Sequence, residues 1–73
     1  MSQEEIKERV HKELVELDGK IGRLQLMLKN TGNRGFMSAY HWRLLHIQLA
    51  SMQTYAECLA SRLAEFDETK AAS

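Results

Sequence analysis

The chain has 73 residues, ten basic and ten acidic side chains, one cysteine and no proline. At this length it forms one domain, residues 1–73, whose core alone supplies no more than about 3–5 kcal/mol. The single cysteine excludes an internal disulfide, and no apolar run approaches the ~20 residues of a membrane-spanning helix. The first residues lack the features of a signal peptide, so we expect a cytoplasmic protein that does not bind membranes.

Positive and negative charges are segregated along the chain, although the formal net charge is zero. The formal charge is −3 over residues 1–18, +5 over residues 19–56 and −2 over residues 57–73. No acidic residue lies between Asp18 and Glu57. If the chain reverses direction in its middle, one end of the molecule is therefore basic and the other is acidic.

The first half has the pattern of one long helix over about residues 3–29. Its apolar residues recur at alternating spacings of four and three, the heptad pattern of a helix that packs along another helix. This seam consists of Val10, Leu14, Leu17, Ile21, Leu24 and Leu28. Gly19 and Gly22 each cost about 1 kcal/mol relative to alanine inside a helix. We interpret them as positions where a second backbone approaches closely; the alternative is a surface position where the cost is tolerated.

A turn is predicted over residues 30–37, where glycine and asparagine stop the helix. Ser38 is the expected N-cap of a second helix over about residues 38–67, followed by a frayed tail at 68–73. Heptad spacing recurs in this helix, with a seam of Trp42, Leu45, Leu49, Met52, Ala56, Leu59, Leu63 and Phe66. Two helices of equal length and a short connection predict an all-α fold, an antiparallel, coiled-coil-like two-helix hairpin.

A second, weaker apolar stripe accompanies each seam. On the first helix it consists of Val15, Gly19, Gly22 and Leu26, and on the second of Tyr40, Leu44, Ile47, Ser51, Tyr55 and Cys58. One hairpin cannot bury both the seams and these stripes. We therefore expect the chain to assemble with itself into a homo-oligomeric helical bundle.

Catalytic and metal-binding patterns are missing from the sequence. There is no nucleophile elbow, no glycine-rich phosphate loop and no HExxH or CxxC motif. His41 and His46 are five residues apart, which puts them on different helix faces. We therefore expect no enzymatic activity, no cofactor and no metal.

The basic half is the candidate binding region for a small phosphate-bearing molecule. Arginine suits phosphate, a helix N-terminus favours anions, and tyrosine or histidine can stack on a base or ribose. The candidate residues are Arg34, Tyr40, His41 and Arg43, followed by Arg23 and Tyr55. The two tyrosines also fit an oligomer interface, and the charge separation also fits hairpins packed head to tail. Five cations and zero net charge make duplex nucleic acid a poor partner.

The chain resembles small helical-hairpin proteins of tailed bacteriophages, in a family related to a crAss-like-phage protein. The resemblance rests on the stretch ELDGKIGRL at 16–24 and the stretch LLHIQL at 44–49, followed by Met52, Tyr55, Leu59, Arg62 and Leu63. In architecture it is similar to the oligomeric phage sponges that counter CBASS and Thoeris immunity by trapping cyclic nucleotide or cyclic ADP-ribose signals.

This resemblance implies a phage-encoded protein that acts in the host bacterial cytoplasm. Because the basic half combines arginine with aromatic residues, we expect a non-enzymatic protein that sequesters a nucleotide-type immune signal. The alternative is an interaction protein that inhibits a host or phage macromolecule through a helical face. The position of the binding pocket, at the turn end or between subunits, stays open at this point.

Overall fold

The computed structural model describes residues 2–72, with side chains for residues 2–66. Helix α1 spans Gln3–Lys29, a short 3₁₀ helix spans Thr31–Phe36, and helix α2 spans Ala39–Ala72. The two long helices pack against each other, and no strand occurs within residues 2–72. The radius of gyration is 16.5 Å, whereas a compact domain of this length would have one of about 11 Å. The predicted all-α hairpin is confirmed, and it is a narrow rod.

Helix α1 begins where its first N–H groups find a partner. The Ser2 hydroxyl accepts a hydrogen bond from the Glu5 backbone N–H at 3.2 Å, which satisfies one of the N–H groups that have no partner within the helix. Glu4 and Glu5 lie in the first turn, where negative charge is favourable. The observed bounds of α1 are those expected from the heptad pattern.

Two asparagines end α1 and shape the turn. The side chain of Asn33 donates a hydrogen bond of 2.9 Å to the Met27 carbonyl, one of the carbonyl groups left without a partner at the end of α1. The side-chain oxygen of Asn30 accepts from the Gly32 N–H at 3.1 Å. These bonds tighten the predicted turn into a 3₁₀ helix, which reverses the chain within eight residues, 30–37.

Helix α2 begins at the expected cap and extends further than the sequence pattern suggested. The Ser38 hydroxyl accepts from the His41 N–H at 3.0 Å. The helix runs to Ala72, five residues beyond the predicted end, because residues 68–72 contain no glycine or proline to stop it. The tail predicted to fray therefore continues α2 as far as Ala72, and Ser73 lies outside the described residues.

The core lies along the two predicted seams. Every residue of both seams is buried or partly buried, and Leu59 is 0 % exposed. The deepest of the other core residues are Val10, Leu28 and Ile21, each less than 10 % exposed. The core is thus one layer of side chains, and α1 and α2 keep the rest of their surfaces in contact with solvent. Among the described residues no helix is long and apolar enough to cross a membrane.

Candidate ligand-binding site

Four of the six candidate residues share the turn end of the hairpin. Arg34 lies in the 3₁₀ helix, and Tyr40, His41 and Arg43 lie in the first two turns of α2. All four are exposed, and 71 % of the Tyr40 surface is accessible to solvent. Tyr40 and Arg43 are three residues apart, so their side chains are neighbours on the helix surface. We call these four residues the turn-end cluster.

Ser38 occupies part of the helix terminus that could have bound an anion. Its hydroxyl accepts from the His41 N–H, and its carbonyl accepts from the Trp42 N–H at 3.0 Å. Because these N–H groups already have partners, the helix terminus offers fewer donors to an anion than an uncapped one. The guanidinium groups of Arg34 and Arg43 are therefore the positively charged donors of the cluster that could bind a phosphate.

Phe36 is a further candidate that the sequence patterns did not single out. It ends the 3₁₀ helix and keeps 89 % of its surface exposed, although it is aromatic. A phenylalanine inside a turn rich in glycine and asparagine, outside both seams, is the signal that could have identified it. Its position beside the turn-end cluster adds a second aromatic ring that could stack on a ligand.

Arg23 points away from the turn-end cluster. Its Nη1 atom lies 3.4 Å from the position that a Cβ atom on Gly19 would occupy. Gly19 is about one turn closer to the acidic end, so the Arg23 side chain folds back along α1. The sequence placed Arg23 among the candidates because of its charge, and the structure does not bring it to the other four.

Tyr55 lies about 22 Å from Tyr40 along α2, because fifteen residues separate them at 1.5 Å each. Its hydroxyl donates a hydrogen bond to the carboxylate of Glu13 on α1. This hydrogen bond, with smaller effects from desolvation and the negative charge of Glu13, raises the pKa of Tyr55 above its ordinary value of 10.0, against an opposing effect of Arg62. One small ligand cannot contact Tyr40 and Tyr55 of the same chain.

Apart from Phe36 in the turn, the exposed large apolar side chains among residues 2–66 lie on two separate surfaces. The α2 row consists of Tyr40, Leu44, Ile47, Ser51, Tyr55 and Cys58, all exposed. The hydrogen bond between Tyr55 and Glu13 places this row on the flank of the hairpin that Glu13 occupies. Val15 lies two residues beyond Glu13, about 200° around α1, and therefore on the opposite flank. The α1 patch of Val15, Gly19, Gly22 and Leu26 is thus not continuous with the α2 row.

Histidine does not form a metal site in the described part of the chain. Among residues 2–66 no group of three His, Cys, Asp or Glu side chains is placed to hold a metal ion. His46 instead meets the edge of Trp42, with ring centroids 5.7 Å apart and an interplanar angle of 64°. Trp42 lies in the seam and is partly buried, as the heptad pattern predicted.

The comparison with protein families decides where this hairpin belongs. Residues 4–65 match the family model described as Sequestin. The chain belongs to the Sequestin family. The matched segment includes all six candidate residues of this Sequestin member. Neither a curated protein nor a solved structure matches the chain.

The name of the Sequestin family points to sequestration as the activity. That activity agrees with the resemblance to helical-hairpin sponges, whereas the relationship to crAss-like-phage proteins stays a prediction. Sequestration needs a binding surface and no catalytic group. In the described part of this Sequestin hairpin, the turn-end cluster and the α2 row are exposed surfaces whose composition suits binding.

Proposed function

We propose that this Sequestin member sequesters a small nucleotide-type immune signal, a cyclic oligonucleotide or a cyclic ADP-ribose-like molecule, and thereby blocks bacterial anti-phage defence. In this proposal it is a phage protein that acts in the cytoplasm of the bacterial host. The observation that carries the proposal is the turn-end cluster: two arginines and exposed aromatic rings at the end of the rod without acidic residues.

Arginine and aromatic side chains at this end match the two chemical parts of such a signal. The planar guanidinium groups of Arg34 and Arg43 each donate paired hydrogen bonds to phosphate oxygens. Tyr40 and Phe36 offer rings on which a base can stack, and His41 can donate to a ribose or phosphate oxygen. The absence of acidic residues from Gly19 to Ala56 removes the repulsion that a phosphate would otherwise meet.

Magnitudes indicate how tightly one chain could bind. A hydrogen bond to a charged group contributes about 1.5–3 kcal/mol and one stacked base about 1–3 kcal/mol. Two arginine contacts and one stacked base therefore contribute about 4–9 kcal/mol, and association subtracts at least about 4 kcal/mol of lost translational and rotational freedom. A protein that removes a scarce signal needs the upper part of this range or more, and so needs most of these contacts at once.

Isothermal titration calorimetry tests the proposal with a panel of cyclic dinucleotides, cyclic trinucleotides and cyclic ADP-ribose isomers. We expect saturable binding of at least one compound. Chromatography of the heat-denatured complex should return that compound unchanged, because sequestration leaves the ligand intact. The absence of binding heat for every compound at millimolar concentration would contradict the proposal. Recovery of a cleaved compound would show that the protein is an enzyme and does not act by sequestration.

The exposed α2 row favours a second candidate function, binding and inhibition of a host or phage macromolecule through a helical face. This function would be supported if a pulldown from bacterial lysate retained one stoichiometric protein while the purified chain bound no compound of the panel. Apolar side chains rather than the turn-end arginines would then carry the affinity. Leu44→Ala would weaken that interaction, and Arg43→Ala would leave it nearly unchanged.

A further inference from the structure

The α2 row is a straight line of exposed side chains with an internal two-fold pattern. Tyr40 and Cys58 are eighteen residues apart, five full helical turns, so they lie on the same line along α2. Between them, Leu44 and Tyr55 are nearly equidistant from the midpoint near residue 49, as are Ile47 and Ser51. Rotation of α2 by 180° about an axis through this midpoint therefore gives a similar row that runs in the opposite direction.

We propose that the α2 row binds the α2 row of a second copy of the chain in antiparallel orientation, about a two-fold axis near residue 49. In this arrangement Tyr40 lies opposite Cys58 of the partner subunit, and Ile47 lies opposite Ser51 of the partner subunit. These two contacts each set a larger side chain against a smaller one, and Leu44 lies opposite Tyr55 of the partner subunit, so apolar surface is buried along the row.

The charge distribution favours a second copy of the chain as the molecule that binds the α2 row, and it favours the antiparallel orientation. One end of the rod carries the +5 segment, residues 19–56, and the other carries the two acidic segments. Antiparallel packing places the basic end of each copy beside the acidic end of the other, whereas parallel packing places like charges together. The exposed fractions of Leu44, Ile47 and Tyr55 in the row are 42 %, 52 % and 43 %. Because the core of one hairpin is a single layer of side chains, burial of this row would add to a small free energy of unfolding.

The antiparallel arrangement also changes the ligand site, and this part rests on the proposed function. Tyr55 of the partner subunit lies level with Leu44, within one turn of Tyr40. His41 and Tyr55 are fourteen residues apart, close to four turns, and therefore occupy the same flank of α2. Each turn-end cluster thereby gains a tyrosine from the second copy, already oriented by its hydrogen bond to Glu13. The dimer contains two such sites, and each is formed by residues of both subunits.

Disulfide formation tests the arrangement without any ligand, because Cys58 is exposed and lies on the row. Tyr40→Cys places a thiol opposite Cys58 of the partner subunit, within the range in which a disulfide forms. In the same arrangement two Cys58 residues are about 27 Å apart, as are two thiols introduced at position 40. Wild type and the Tyr40→Cys/Cys58→Ser variant are therefore matched controls with one cysteine per chain.

We expect Tyr40→Cys to give a covalent dimer under mild oxidation at micromolar concentration, about 100-fold faster than either control, since association raises the local thiol concentration to about millimolar. Circular dichroism verifies that the variants keep their helix content. Equal rates for the three proteins would overturn the proposal, and so would fast cross-linking of wild type through Cys58, which indicates parallel helices. A wild-type monomer in analytical ultracentrifugation would overturn it independently. None of these outcomes depends on whether the chain binds a nucleotide.

Discussion

Tyr55 and Glu13 are joined by a hydrogen bond between residues 42 positions apart in the chain. The tyrosine hydroxyl of α2 donates to the carboxylate of α1, which fixes the rotation and the register of the two helices at one point. The contact places the first half of α1 beside the second half of α2, as an antiparallel hairpin requires. This contact also determines which flank of the rod the exposed apolar row of α2 occupies.

The first test concerns the titration of Tyr55. Glu13→Gln should lower the pKa of Tyr55 toward its ordinary value, because the hydrogen bond to a negatively charged carboxylate favours the protonated phenol. Ultraviolet absorbance of tyrosinate measures this in a Tyr40→Phe background, where Tyr55 is the tyrosine that titrates. The control is Glu16→Gln, which removes a nearby charge of the same sign. An unchanged Tyr55 pKa in Glu13→Gln would contradict the contact.

The same contact has a consequence for stability at high pH. Because the folded-state pKa of Tyr55 is raised, its contribution to stability is complete below the ordinary pKa of about 10 and is lost as the pH rises through the folded-state value. Chemical denaturation of wild type and Tyr55→Phe between pH 8 and pH 11 measures this, with pH values chosen to bracket the tyrosine range. The stability difference between the two proteins should shrink with rising pH, and a constant difference would argue against it.

Leu59→Ala should destabilise the hairpin by about 2–5 kcal/mol, because the side chain is completely buried and leaves a cavity. A core of this size supplies only about 3–5 kcal/mol, so this single change can unfold the chain at 37 °C. Leu26→Ala is the matched control, since Leu26 is 71 % exposed on the α1 patch. We expect the control to stay within about 0.5 kcal/mol of wild type in urea denaturation. Equal losses in both variants would mean that α1 and α2 do not pack along the observed seams.

Ser38→Ala should lower the free energy of unfolding by about 0.5–2 kcal/mol, because the His41 N–H at the start of α2 loses its hydrogen-bond acceptor. Thermal denaturation followed by circular dichroism measures the loss. Ser61→Ala is the control, because Ser61 lies inside α2, where alanine is the better helix former. A melting temperature that falls as much in the control as in Ser38→Ala would show that the hydroxyl does not act as a cap.

Gly22→Ala should stabilise the chain by about 0.5–1 kcal/mol, because an added Cβ meets nothing within 4 Å beyond the adjacent backbone of its own helix, and alanine is favoured inside a helix. Urea denaturation and sedimentation measure stability and assembly together. The sequence pattern suggested that a second backbone approaches Gly22, whereas the proposed dimer uses α2. If Gly22→Ala dissociated an assembly, we would conclude that the interface lies at the α1 patch and not at the α2 row.

Arg43→Ala should weaken binding of a phosphate-bearing ligand by about 10- to 150-fold, the equivalent of about 1.5–3 kcal/mol for one charge-assisted hydrogen bond. Arg43→Lys should recover only part of this loss, because lysine cannot donate in the paired, planar geometry of arginine. Arg62→Ala removes the same charge from the other half of α2 and serves as the control in calorimetry. Equal losses for Arg43→Ala and Arg62→Ala would assign the effect to net charge rather than to the turn-end cluster.

The sequence alone determined the helices, the reversal between them and the seams. These features follow from local physics: apolar residues at spacings of three and four form a stripe on a helix, and asparagine, glycine and serine stop and cap helices. The bounds Gln3–Lys29 and the cap at Ser38 agree with these patterns. The end of α2 lies beyond its predicted position, because residues 68–72 contain no glycine or proline to stop the helix.

Only the tertiary structure decided how the candidate residues are distributed around the rod. It separated the α1 patch from the α2 row, directed Arg23 back over Gly19, and gave Tyr55 its partner on α1. The direction of a side chain across a hairpin depends on the register and relative rotation of both helices. Those quantities are set by packing between residues far apart in the chain, which no pattern within one helix contains.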